Sequence, residues 1–226
     1  MNNDYTLPPL PSKLNSKSLD NLETILDSND KVIKRLTYHL LENKPLSGAE
    51  IHELMDASKI AYNQKKYPFL GVYRSDEIPD RLFHPKSRGF VIINLDNKGN
   101  GTHWTSFIKE KATKNSASII LYRDSYGLQP PDNMIQRAEY HNITIYHSSI
   151  RTQMMDSNRC GFHCIAFYLD NVIPDENDIP LLENYNMMDV YWVDMYKKYG
   201  EEKAIKKLES RLIEKVLKMF SILVES

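Results

Sequence analysis

Apolar residues recur at helical spacing from Leu19 to Leu41: Leu19, Leu22, Ile25 and Leu26, then Val32, Ile33, Leu36 and Leu40. The run breaks at Ser28-Asn29-Asp30, so the spacing predicts two short helices, the second capped in that break. Ser47-Gly48-Ala49-Glu50 has the form of a capping box, and Leu46 and Ile51 are placed for a hydrophobic staple. A third helix is therefore predicted to run from Ser47 to about residue 63.

The middle of the chain changes period. Phe90-Val91-Ile92-Ile93 is a short apolar run bounded by polar residues and predicts a buried strand. Further strands are predicted over 104–109, 117–123 and 143–147, with a turn over 97–101 and a proline-rich loop over 128–132. Helical spacing returns over 159–171, where Phe162, Ile165, Ala166 and Leu169 share a face. Two more helices are predicted over 189–199 and 201–224. Residues 1–17 hold Pro8, Pro9 and Pro11 without periodicity and read as a flexible arm. Helices, then strands, then helices argue for an α+β fold, with an arm and helical extension over 1–45 and the main domain over 46–226.

Composition narrows the function classes. In 226 residues, 41% are hydrophobic and 26% charged, as expected of a chain with a real core. The net charge of -1 gives no chain-wide positive field for nucleic acid. No apolar run reaches the roughly 18 residues of a membrane-spanning helix, and the N-terminus has no secretory-signal pattern, so no membrane partner is expected. Two cysteines are not a disulfide framework, which makes a reducing compartment, cytosol or nucleus, the expectation.

Both cysteines fall in Cys160-Gly161-Phe162-His163-Cys164. Metal ligands usually come as separated pairs, and this spacing offers no second pair, so no metal is expected. Cys164 sits among apolar residues and reads as a small buried hydrophobe. His163 lies about 100 degrees round the helix from its neighbour and reads as a packing residue. Cys160 stands at the start of the helical run, where free amides and the dipole favour a thiolate. Gly161 has no side chain, which would let a substrate carbonyl approach.

Upstream residues supply partners. His103 precedes one predicted strand and Asp124 follows the next, so adjacent strands could present a base beside its orienting acid. Gln153 lies seven residues before Cys160, close enough to add an amide N–H to an oxyanion hole. Each also has a bland reading: a strand-end histidine, a turn aspartate bonded to its own backbone, a loop glutamine.

Gly101-Thr102-His103-Trp104, Asp124-Ser125-Tyr126-Gly127 and Gln153 seven residues ahead of Cys160-Gly161, taken together, resemble the adenain-like group of cysteine proteases, which includes the SUMO-specific proteases. Phe69-Leu70-Gly71-Val72-Tyr73 and the strand residues from Phe90 to Leu95 look most like the adenovirus branch and its virophage and Maverick/Polinton relatives. The resemblance covers about 46–171. It implies a papain-like fold: a small mixed sheet flanked by helices, with the nucleophile at a helix N-terminus.

The resemblance also implies roles. Cys160 would be the nucleophile, His103 the base, Asp124 the orienting acid and Gln153 the oxyanion donor, with Trp104 and Gly161 lining the substrate path. The implied activity is an endopeptidase that cleaves capsid or core precursor proteins, in the virion or in the host cytoplasm or nucleus. A ubiquitin-like-modifier protease and a non-catalytic capsid-associated scaffold are the alternatives. No cofactor is expected. A peptide activator is compatible with the sequence, but no cysteine beyond Cys160 and Cys164 exists to link one by a disulfide. The charge balance argues against activation by DNA.

Overall fold

Every residue of Gly89–Asn94 (β2) is buried, and the two sides of this strand face different cores. Phe90 and Ile92 join one cluster and Val91 and Ile93 another. A strand covered on both faces has no polar side, which explains its continuous apolar sequence. The structure, a computed structural model, describes residues 14–61, 66–95, 103–114, 116–172 and 181–225.

Around β2 the described residues form a five-stranded mixed sheet in the order β1-β2-β3-β4-β5. These are Phe69–Arg74 (β1), Trp104–Glu110 (β3), Ile119–Arg123 (β4) and Thr144–His147 (β5). β1 and β5 run parallel to their neighbours, whereas β3 runs antiparallel to both β2 and β4. The parallel pairing of β4 with β5 needs a crossover. Helix Asp132–Tyr140 (α4) supplies it, burying Met134 and Ala138 one turn apart. With the short 3-10 turn Asp80–Phe83, it covers the Val91 face of the sheet.

The remaining helices cover the other face. They are Ser16–Asp27 (α1), Lys31–Leu41 (α2), Gly48–Ala61 (α3), Cys160–Val172 (α5), Leu181–Tyr199 (α6) and Glu201–Glu225 (α7). α5 lies on β3, and α7 packs against α1, α2, α3, α5 and α6. Leu22, Ile25, Leu36 and Leu40 of the N-terminal helices share one core with Phe162, Leu212 and Phe220. The helices preceding residue 46 are thus packed into the same core as the helix that carries Cys160.

The predicted caps are present. Asp30 Oδ1 accepts from the amides of Val32 and Ile33 at 2.9 Å each. The capping box is closed by Glu50 N–H to Ser47 Oγ at 3.2 Å and Ser47 N–H to Glu50 Oε2 at 2.9 Å. Other boundaries moved. The sequence showed no helix after the proline-rich loop, where α4 forms, because only two inward positions mark it. α6 begins at Leu181 rather than 189, and β1, unassigned from periodicity, has the mixed burial of an edge strand. Of the arm predicted over 1–17, residues 1–13 lie outside the described residues and Ser16 and Lys17 instead open α1, capped by Asn15. The turn over 97–101 also lies outside the described residues.

Candidate active site

Because β3 and β4 are antiparallel, the start of one and the end of the other lie at the same edge, with Ser106 opposite Arg123. This register brings His103, just before β3, to Asp124, just after β4. His103 Nε2 and Asp124 Oδ2 are 2.7 Å apart, with Asp124 fully buried. The second carboxylate oxygen accepts from the Tyr126 amide at 2.7 Å. Asp124 is therefore held by its own turn while it holds the histidine.

The imidazole packs against one aromatic ring. The Tyr126 ring lies 4.9 Å from it, centroid to centroid, at 35°. Its Nδ1 is buried and makes no hydrogen bond. Burial works against a charged ring here. The hydrogen bond and charge of Asp124, together with Cys160, outweigh it and raise the His103 pKa to about 9. The histidine thus offers Asp124 one nitrogen and keeps the other for a thiol.

Cys160 is the first residue of α5, and it is a free thiol. Helix pairing starts with His163 N–H to Arg159 C=O at 2.9 Å, which leaves the amides of the first turn without intrahelical acceptors. The Trp104 amide points at Cys160 Sγ, 3.5 Å away. The thiol therefore sits beside the start of β3, next in sequence to the histidine. Cys164, one turn on, is buried, and burial first, then the Cys160 charge, pushes its thiol well above the usual cysteine range. His163 is held neutral: burial, then Arg123, Arg159 and His103, drive its pKa down to about 3. Neither is available as a nucleophile or base at neutral pH.

Gln153 is fully buried at the same edge. Its Oε1 accepts from Ser125 Oγ at 2.6 Å, and its Nε2 donates to Ser157 C=O at 2.5 Å and to the Tyr126 hydroxyl at 3.1 Å. Its backbone amide is bonded to Ser125 C=O at 3.1 Å. The turn that carries the acid therefore also positions the glutamine. Gly127 permits this close approach: at φ +75 a Cβ would collide with the Ser149 carbonyl. Arg123 reinforces the arrangement by donating to Ile150 C=O at 3.1 Å and Thr152 Oγ1 at 3.0 Å.

The two residues expected to line the substrate path have other surroundings. Trp104 is buried and donates from its indole to Leu46 C=O at 2.8 Å. A Cβ on Gly161 would point at Leu46 and Ile51, 3.2 and 3.4 Å away. Both residues pack the starts of β3 and α5 against the start of α3. The space a Gly161 side chain would take is filled by Leu46 and Ile51.

The sequence reading missed Ser125, Tyr126, Asn43 and Glu209, all of which reach the residues between Gln153 and Cys160. Ser125 and Tyr126 stood next to Asp124 and could have been found by asking what the rest of that turn holds. Asn43 and Glu209 gave no local signal, because their partners are distant in sequence.

No protein-family profile matches the chain, and no curated protein is similar to it. Among solved structures, the chain is similar to the ASFV pS273R protease in its native and selenomethionine crystal structures. Each superposition gives a TM-score of 0.41 at 16% identity, covering 65% of this chain and 67% of that one.

Proposed function

We propose that this chain is a cysteine endopeptidase with Cys160 as nucleophile, His103 as base and Asp124 as the acid that orients it. One observation carries the reading: His103 gives Nε2 to a buried carboxylate and keeps Nδ1 free of other partners beside a helix-terminal thiol. In the proposed cycle the thiol proton rests on Nδ1, giving the thiolate–imidazolium pair that the raised His103 pKa favours, and the thiolate adds to the scissile carbonyl. The imidazolium then protonates the departing amine. Water hydrolyses the resulting thioester, returning the thiol and releasing the acid product.

The oxyanion would be met by the Cys160 amide at the helix start and by Gln153 Nε2. Both N–H groups of that amide are engaged here, so an oxyanion would accept the N–H that Gln153 now donates to the Tyr126 hydroxyl. That exchange is inexpensive, because one neutral acceptor is replaced by a charged one.

For the substrate, the sequence resemblance to the adenovirus and virophage branch supports a capsid or core precursor protein cleaved during virion maturation. The test is co-expression of wild type and Cys160→Ala with the major capsid protein of the same genome, read by intact mass. A new capsid terminus with wild type only is the expected result. Identical processing by Cys160→Ala would sink the reading.

A further inference from the structure

The segment between Gln153 and Cys160 belongs to neither sheet nor helix. Its one internal backbone hydrogen bond among the described residues is Ser157 N–H to Met154 C=O at 3.1 Å. A loop with so little pairing of its own pays a large ordering entropy unless side chains from elsewhere hold it. Two clamps do so here, and they come from opposite ends of the chain.

The first is Asn43, just past the end of α2. Its Oδ1 accepts from the Asn158 amide at 2.7 Å and from Ser157 Oγ at 3.4 Å. Its Nδ2 donates to Asp156 C=O at 3.0 Å, and its own carbonyl accepts from Asn158 Nδ2 at 3.2 Å. Asn43 has φ 58, the left-handed conformation that ends a helix, with Lys44 N–H closing on His39 C=O at 2.8 Å. Helix termination needs only that backbone, and glycine would serve it with less strain. The asparagine side chain is spent entirely on the loop.

The second clamp is Glu209 of α7. It is buried, and its Oε1 accepts from the Met154 amide at 3.0 Å, directly after Gln153. Its Oε2 faces the Arg159 guanidinium at 3.7 Å, directly before Cys160. Arg159 also donates to Leu40 C=O at 2.8 Å and Leu41 C=O at 3.4 Å, at the end of α2. One carboxylate therefore spans the loop from the oxyanion glutamine to the nucleophile.

We infer that Asn43 and Glu209 are positioning residues which hold the loop from Gln153 to Cys160 in its oxyanion-binding geometry, so that the helices at both chain ends act as a built-in clamp on the active site. The inference rests on Cys160 being the nucleophile.

Two reactions of the full chain separate the possibilities. Iodoacetamide alkylates a thiolate by displacing iodide and needs no oxyanion hole. p-Nitrophenyl acetate acylates it, releasing nitrophenolate through a tetrahedral oxyanion, and the acetyl thioester is then hydrolysed. Cys160→Ala supplies the background for both. Asn43→Gly keeps the left-handed turn and removes the clamp. Its acylation rate is expected to fall about 10²-fold, the scale of a small misplacement in an active site. Its alkylation rate should stay within about twofold of wild type, since the thiol and His103 are untouched.

Glu209→Ala should behave like Asn43→Gly, and Glu209→Gln, which keeps an acceptor for the Met154 amide, should recover most of the rate. Equal acylation by Asn43→Gly and wild type overturns the inference. So does a parallel fall of both reactions together with a lower unfolding midpoint, since that marks a purely structural role. Wild type that alkylates at Cys160 but never acylates defeats the catalytic reading itself.

Discussion

His103 donates from Nε2 to Asp124 Oδ2 across 2.7 Å, leaving Nδ1 as the nitrogen that meets the thiol. A carboxylate can only accept, so Nε2 carries a proton toward Asp124; with the His103 pKa raised to about 9, the ring is mostly imidazolium at neutral pH and Nδ1 carries the second proton.

Asp124→Asn should weaken this bond and remove the charge behind it. The His103 pKa is expected to drop from about 9 toward its ordinary value of 6.5. NMR titration of the ring protons reads it directly. An unmoved His103 pKa would show that Asp124 does not set the protonation state of the base. Turnover of a peptide substrate should fall by about 10²-fold or more, the usual range for impaired acid–base catalysis.

Stability should have a maximum near pH 6.5, because the two buried histidines work in opposite directions. His103 has a raised pKa in the fold, so its contribution is complete below about 6.5 and is lost as pH rises through about 9. The loss is on the order of 3 kcal/mol at about 1.4 kcal/mol per unit. His163 has a lowered pKa, so its neutral form supports the fold above about 6.5, and that support is lost as pH falls toward 3. Urea midpoints of wild type, His103→Gln and His163→Leu should show the alkaline limb flattened in the first variant and the acid limb in the second.

Gly127→Ala should destabilise the chain and disable the site together. The left-handed backbone costs a residue with a Cβ about 1–2 kcal/mol, and the Cβ would also strike the Ser149 carbonyl. A loss of at least about 2 kcal/mol in the urea midpoint is expected, with reduced turnover in the surviving folded fraction.

Native alkylation should modify one thiol. Cys164 is buried with its thiol pushed well above the usual range, so the thiolate needed for reaction is scarce. Mass mapping after brief iodoacetamide treatment is expected to place the label on Cys160, with Cys160→Ala unlabelled. Both cysteines are buried, at 4% and 3% exposure, so labelling of Cys164 at a comparable rate would contradict its exclusion, which rests on its raised thiol pKa.

Local pattern was enough to establish several parts of this protein. Helical spacing and the Ser28–Asp30 break produced α1 and α2, and the Ser47–Glu50 pair produced the start of α3. Short apolar runs produced β2, β3 and β4, because a strand buried on both faces needs no partner to be visible; β5 was also placed, although it is a mostly exposed edge strand. The positions of His103 and Asp124 at facing strand ends followed from strand order alone, since consecutive antiparallel strands share an edge. α4 was missed because its inward face holds only Met134 and Ala138, too few to show a period.

What only the tertiary structure decided are the relations between segments far apart in the chain. Gly161 was read in the sequence as room for a substrate carbonyl, and only the tertiary structure shows Leu46 and Ile51 closing on it. Gln153 could be named from spacing, but its hold by Ser125 and Tyr126 depends on two loops meeting. Asn43 and Glu209 reach the nucleophile's loop across 113 to 115 and 55 residues of chain respectively. Periodicity reports which face of an element is buried. It carries no information about which distant side chain will fill a hydrogen bond that a loop cannot make for itself.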